Sequence, residues 1–383
     1  MKVPARIRPS VNTLLCLAAV AGAGWSGTVL WDEWRTYRAV GAGCADLVPV
    51  REVRGMDHAD PVLRNRDSLD PDALPSGCLI QNAGADGEKY GPWLFQLLVD
   101  EAPETVVARP SAELPERFAR LDVPIGNGVP GFAGPNRTTV RLDCPQERNV
   151  DVTASAAYTG MASYYPKPAT SGDRARMARI AVTAANRLAP RLGCSKVPAA
   201  PDLAAAPRFS DASHTEGTCA WYRPQRQARQ HLAWLPDEAM GAPVDRHVRQ
   251  ERCALRLSTD SARRLFDEAY TDTDDAPPTA DDLWWADVQT FYDQDVYIGS
   301  TGSTKATDTP LAPGTAGRYP DTALWWATSV CDARPAVHVL RVDYGYDSLR
   351  AAPHVEQLFR SYVTDVAARR GCTDLEFPTD FTR

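Results

Sequence analysis

The sequence predicts an α+β protein: an N-terminal transmembrane helix, then two similar disulfide-stapled domains, each an antiparallel sheet with a long C-terminal helix. Three observations predict it. Residues 11–31 carry no charge. Eight of the nine cysteines follow that run, four on each side of residue 200. An order of strand pattern, helix pattern and Gly-Cys then occurs twice.

The N-terminal elements come first. Residues 1–10 hold Lys2, Arg6 and Arg8 and no acid. A helix over 11–31, at 1.5 Å per residue, reaches about 30 Å, the thickness of a bilayer core. Trp31 suits the membrane interface, and Asp32 and Glu33 end the run. Basic before and acidic after places the N-terminus in the cytoplasm and the bulk outside. The reading is therefore a cytoplasmic basic segment over 1–10, a transmembrane signal-anchor over 11–31 and a juxtamembrane linker over 32–43. A signal peptide cleaved near Ala21-Gly22-Ala23, giving a secreted protein, competes with it. The apolar run continues past that site, which favours the anchor. Cys16 reads as an apolar filler of this helix.

The cysteines follow. Cys44, Cys78, Cys144, Cys194, Cys219, Cys253, Cys331 and Cys372 make an even count, which in an oxidising compartment reads as four disulfides. Four per half allow three pairings in each half. The repeat favours Cys144–Cys194 and Cys331–Cys372, which leaves Cys44–Cys78 and Cys219–Cys253. No Cys-x-x-Cys occurs and no His stands at ligand spacing from a Cys, so neither zinc nor thioredoxin-type chemistry is expected.

The repeat supplies the sheets and helices. With Cys144 aligned on Cys331, Val150 falls on Val337 and Val152 on Val339. Both stretches alternate apolar and polar, as a half-buried strand does. Both lead into a helix ending Gly193-Cys194 or Gly371-Cys372, where glycine suits a left-handed cap. Met177, Ile180, Ala184 and Leu188 form one helical face, and Val355, Leu358, Tyr362 and Val366 form its counterpart. Further upstream, Gly77-Cys78 and Thr218-Cys219 each open an apolar stretch ending Asp-Glu-Ala. The Pro/Ala-rich segment 197–209 reads as a linker between domain 1 (44–196) and its duplicate, domain 2 (210–383). Strands are expected near 93–99, 138–144, 150–156, 230–235, 252–258, 323–331 and 336–344. Helices are expected over 173–192, 261–270 and 354–370, with Asp260 as an N-cap.

Chemistry is mostly excluded. A net charge of −7 disfavours nucleic acid as a partner. There is no Gly-x-Ser-x-Gly, His-Glu-x-x-His or Walker lysine motif, and no catalytic residue, metal or cofactor is assigned. The glycine-rich stretch 126–134 reads as a surface loop, and 299–303 as a flexible one. His338, opposite in phase to Val337 and Val339, reads as solvent-facing or cross-strand.

One insertion stands out. Residues 271–275 read Thr-Asp-Thr-Asp-Asp, and Asp281-Asp282 precede Trp284-Trp285, with Asp287, Asp293 and Asp295 beyond and Trp326 later. The spacing does not fit a helix-loop-helix calcium loop. Rings that stack beside carboxylates that accept hydroxyl or amide hydrogens suit a sugar or peptide groove. The candidate ligand-binding residues are therefore Asp287, Asp293, Asp295, Trp284, Trp285 and Trp326. The plainer reading is a solvating loop whose Trp285 and Phe291 pack as core.

The expected function is a membrane-tethered extracytoplasmic binding or interaction protein of the bacterial cell envelope. Its partners would be the membrane, through the N-terminal helix, and another envelope protein or a cell-wall ligand. The alternative is an envelope carbohydrate or peptide hydrolase using paired carboxylates such as Asp287 and Asp293, which would stand about 5–10 Å apart. The basic N-terminus, the anchor, the stretch Gly-Cys-Ala-Asp-Leu-Val-Pro from Gly43 to Pro49 and the Gly-Cys pairs at Cys194 and Cys372 together resemble a class of proteins. They are the uncharacterised membrane-anchored extracytoplasmic proteins of actinobacteria. The resemblance spans most of the chain and implies no activity or site residues.

Overall fold

A computed structural model describes residues 8–83, 93–101, 105–108, 121–145, 149–158, 169–201, 203, 206–229, 231–269, 285–299, 309–319, 323–343 and 348–381. The chain forms two compact units. One comprises Met1–Glu101 with Asn136–Lys196, the other Ala102–Pro135 with Val197–Arg383. The division after Lys196 coincides with the start of the Pro/Ala-rich segment, but residues 102–135 belong with the second unit, so the first is not contiguous.

The first half runs α1 (Arg8–Gly43), α2 (Val50–Arg54), β1 (Leu63–Asp67), β2 (Ser76–Asn82), β3 (Trp93–Glu101), β4 (Thr105–Ala108), β5 (Val123–Gly126), β6 (Val129–Ala133), β7 (Arg137–Asp143), β8 (Asn149–Tyr158) and α3 (Ser171–Leu192). Its antiparallel sheet has the order β1-β2-β3-β8-β7-β6-β5. Strict alternation in β3 buries Trp93, Phe95, Leu97 and Val99 on one face. The α3 face of Met177, Ile180, Ala184 and Leu188 is fully buried. Thr170 caps this helix by accepting from the Asp173 N–H at 3.2 Å, and Gly193 closes it at φ 71°.

The second half runs β9 (Ser210–Asp211), α4 (Tyr222–Ala228), β10 (Glu238–Gly241), β11 (Gln250–Arg256), α5 (Thr259–Ala269), β12 (Trp285–Tyr292), β13 (Asp295–Ile298), β14 (Ala316–Arg318), β15 (Leu324–Cys331), β16 (Arg334–Asp343), α6 (Ser348–Arg370) and β17 (Thr373–Glu376). Its sheet has the order β14-β15-β16-β12-β11-β10-β9, with β17 also pairing β15. Both faces of this sheet are covered. On one, Val355, Leu358, Phe359, Tyr362, Val363 and Val366 of α6 pack on Val288, Ala327 and Leu340. On the other, β4 and β13 pair as a parallel two-stranded ribbon, and Ala108, Val296 and Ile298 pack on Phe291, Val337 and Val339.

Four disulfides staple the units: Cys44–Cys78, Cys144–Cys194, Cys219–Cys253 and Cys331–Cys372. Cys144–Cys194 and Cys331–Cys372 are the pairs the repeat favours, and the other two are those it leaves. Two join a strand end to the residue just past a long helix, and two close loops of equal sequence separation, 34 residues.

Several expectations are corrected. The architecture is two antiparallel sheets with few helices, and among the described residues no helix is long and apolar enough to cross a membrane. The predicted anchor lies within α1, which does not end where the charge-free run ends but continues through Asp32, Glu33 and Arg35 to Gly43. The single-pass membrane localisation drawn from it falls with it. Residues 32–43 are no linker either. They continue α1, whose Thr36 hydroxyl donates to Pro61 O and accepts from the Leu63 N–H, each at 3.1 Å. Nor does a helix close the second half, since β17 follows α6. Residues 231–235 form turns, not a strand. Asp260 lies inside α5, while the Ser258 hydroxyl accepts from the Ser261 N–H at 3.2 Å in the capping role. The glycine-rich stretch is the β5–β6 hairpin. Its turn, Asn127-Gly128, has both residues at positive φ, 55° and 72°, which suits that dipeptide.

Candidate functional site

Of the six residues singled out from sequence, the four whose side chains are described do not converge. Trp284 lies outside the described residues, as do the acids at 271–275 and 281–282. Trp285 opens β12, and its side chain is likewise undescribed. Asp287 and Trp326 share the sheet face covered by the β4–β13 ribbon. Trp326 is half-buried and lies over Gly317, where an added Cβ would stand 2.8 Å from the indole Cη2. Asp293 sits just past β12 at φ 54° and pairs with Arg334 at 3.0 Å and Arg249 at 3.6 Å. Asp295 is exposed at the start of β13. Asp287 and Asp293 are six residues apart along an extended chain, about 20 Å at the rise of a strand. That is too far for the carboxylate pair a glycosidase needs.

Asp287 is buried to 0% exposure and held between two guanidiniums. Arg252 Nε donates to Oδ1 at 2.5 Å, Arg341 Nη2 pairs with Oδ2, and Gln289 Nε2 donates to Oδ2 at 2.9 Å. Burial pushes its pKa up, but the charges of Arg252 and Arg341 outweigh it and hold the carboxyl below the ordinary carboxylate value. A charge so fully neutralised orders the sheet face. It does not offer itself to a ligand.

His338 is also fully buried, not solvent-facing. It stands opposite Thr290 across the ladder. Its Nδ1 is 2.8 Å from Thr290 Oγ1, and its Nε2 is 2.8 Å from Ser329 Oγ. Thr290 Oγ1 also bonds Tyr362 Oη at 2.8 Å. Hydroxyls donate or accept as required, so a neutral imidazole is satisfied at both nitrogens. Burial lowers its pKa from 6.5 to about 3. Ser329 beside His338 has the look of a nucleophile and its base, but both are at 0% exposure and no carboxylate orients the ring. Beside this network Glu251 is clamped by Arg369 at 2.8 Å and Arg370 at 2.6 Å. Among the described residues no group of three or more His, Cys, Asp or Glu could hold a metal ion.

An open surface lies elsewhere in the second unit. A shallow groove of about 620 Å³, largely open to solvent, runs between α4 and α6. Trp221, the residue before α4, forms its floor at 5% exposure, its ring 5.6 Å from that of Tyr362. The Trp221 indole nitrogen is buried and has no hydrogen-bond partner within the described residues. Gln225 Nε2 of α4 reaches Ser361 Oγ of α6 at 3.1 Å. The groove's charges are matched one turn apart along α6: Glu356 with Arg360 at 2.7 Å, and Asp365 with Arg369 at 2.8 Å.

Counted back from Gly193 and Gly371, α3 carries arginines where α6 carries the groove. Arg179, in the place of Gln357, pairs with Glu52 of α2 at 2.9 Å. Arg187, in the place of Asp365, donates to Asp46 O at 2.7 Å. The first unit thus ties down the helix face that the second leaves open. Sequence reasoning missed this site because Trp-Tyr-Arg-Pro after Cys219 carries no motif. The one available signal was this loss of arginine between the two helices. The chain matches no protein-family model, no curated protein and no solved structure.

Proposed function

We propose that the chain is a binding module whose second unit holds its ligand in the α4–α6 groove, and that its halves derive from one duplicated domain. The groove carries this reading: a ligand-sized concavity on the helix face that its counterpart in the first unit ties down with Arg179 and Arg187. The shared order of bridges and sheet strands supports the duplication. After duplication one copy can keep a structural helix face while the other is released for recognition.

The test is a thermal-shift panel of sugars, amino acids, nucleotides and short peptides against the full chain and its Ser361→Trp variant. The indole would fill the groove. A ligand at 100 times its Kd stabilises the folded state by about 2.7 kcal/mol, so binders raise the melting temperature of the unmodified chain. The expected result is at least one compound whose shift vanishes in Ser361→Trp while the unliganded melting temperature barely moves. Compounds that shift both proteins equally, or none at all, overturn the proposal.

A further inference from the structure

We infer that the α4–α6 groove takes a neutral, hydroxyl-rich ligand, a short uncharged saccharide. The inference rests on the binding reading above and specifies its ligand. Charge is the first argument. Both acids on the α6 wall are paired within the helix, Glu356 to Arg360 and Asp365 to Arg369. Arg360 is further occupied over the Phe377 ring at 4.6 Å, and Arg369 also serves Glu251. Among the described residues that line the groove, no charge remains uncompensated for an anion such as phosphate and no bare carboxylate pair stands ready for a cation.

The wall is otherwise polar and neutral. Gln357, Ser361 and Thr364 offer an amide and hydroxyls, each able both to donate and to accept, and the Gln225 amide, which donates to Ser361 and accepts from Arg229, keeps one further donor and one lone pair. Sugar hydroxyls have the same dual character, so such a wall meets them in several orientations. The Gln225–Ser361 bond shows these groups already within reach of one another across the groove.

The apolar part of the lining suits a sugar better than a peptide. Helix-in-groove recognition places apolar anchors in aliphatic pockets. Among the described residues this groove has no Leu, Ile, Val, Met or Phe in its lining; its apolar parts are Trp221, Pro224 and Ala368. Trp221 is only 5% exposed, so Pro224 and Ala368 present a small apolar surface, enough for one face of a pyranose ring and too shallow for a leucine side chain.

The experiment is titration calorimetry of the full chain with chitotetraose, cellotetraose and maltotetraose, alongside tetragalacturonate and an amphipathic helical peptide. Unmodified protein, Ser361→Trp and Gln225→Ala are compared. At least one neutral tetrasaccharide is expected to bind, to lose binding in Ser361→Trp and to weaken about tenfold in Gln225→Ala, the loss of one hydrogen-bonding group. Binding of tetragalacturonate or the peptide in place of the neutral sugars, still abolished by Ser361→Trp, overturns the ligand class and leaves the groove reading standing. Binding of any probe that survives Ser361→Trp overturns both. If no neutral sugar binds while the wider panel yields a groove-dependent compound of another class, the saccharide assignment alone falls.

Discussion

Replacing His338 with Asn should remove a pH dependence from the stability of the second unit. The imidazole is buried and neutral between Thr290 and Ser329, with its pKa lowered from 6.5 to about 3. A group whose folded pKa lies below its unfolded value binds fewer protons when folded. Its stabilising contribution is therefore complete above about pH 6.5 and is lost as the pH falls toward 3. At about 1.4 kcal/mol per unit of separation, the loss is roughly 2 kcal/mol at pH 5 and roughly 5 kcal/mol near pH 3. Asp287 does not contribute over the upper part of this range. Its carboxyl is held low by Arg252 and Arg341, so its stabilisation is present above the unfolded carboxylate pKa of about 3.9 and is lost only below that. Urea unfolding at pH 7 and pH 5 should therefore show the unmodified chain losing about 2 kcal/mol more than His338→Asn, although the variant starts less stable for want of two hydrogen bonds. The imidazole resonances give a direct check, because those of His338 should not titrate between pH 8 and pH 5. Equal pH slopes in the two proteins, or a His338 midpoint above pH 5, would refute the buried-neutral assignment.

Other perturbations follow from the same structure. Asp287→Ala leaves two guanidiniums facing each other without their shared carboxylate and should lower stability by about 3–5 kcal/mol. A drop under about 1 kcal/mol in denaturant titration would show that the cluster is hydrated. Removing Cys331–Cys372 by paired Cys→Ala substitution frees a loop of 41 residues and should cost about 4 kcal/mol as an upper value on chain entropy. Equal midpoints for the oxidised chain and the variant would contradict this. Gly217→Ala should destabilise by about 1–3 kcal/mol, because Gly217 has φ 62° and an added Cβ would strike the Ala242 carbonyl. A neutral result would mean that the turn relaxes. Arg179→Ala breaks a pair whose Arg179 side chain is 41% exposed and should cost less than about 1 kcal/mol. A larger loss would mean that this arginine does more than cover α3.

Local pattern carried some elements and not others. Trp93, Phe95, Leu97 and Val99 alternate with exposed or half-buried residues, and period-two burial is enough to declare a strand. Trp325, Ala327, Thr328 and Ser329 are all buried because both faces of β15 are covered, a situation alternation alone does not describe. The same cover explains His338. Its phase placed it opposite Val337 correctly, but only α6 packing on that face makes it buried. The pairing of the candidate acids failed for a related reason. Proximity in sequence put Asp287 and Asp293 together, while an extended strand holds them about 20 Å apart. The charge-free run at 11–31 did not mark the bounds of an element, because α1 continues through the charged residues that follow it to Gly43.

By itself the sequence determined the covalent frame. The eight cysteines outside α1, their spacing to Gly193 and Gly371, and the helix faces of Met177 and Val355 are local facts, and local periodicity with short-range capping fixes them. Tertiary structure alone decided which polar groups matter. Whether a carboxylate such as Asp287 is a ligand or a buried clamp depends on Arg252 and Arg341, brought from 35 and 54 residues away. The groove likewise exists only because Trp221 and Ser361 meet from opposite ends of the second unit. Charge balance and solvent exclusion are set by these long-range neighbours, and no window of sequence contains them.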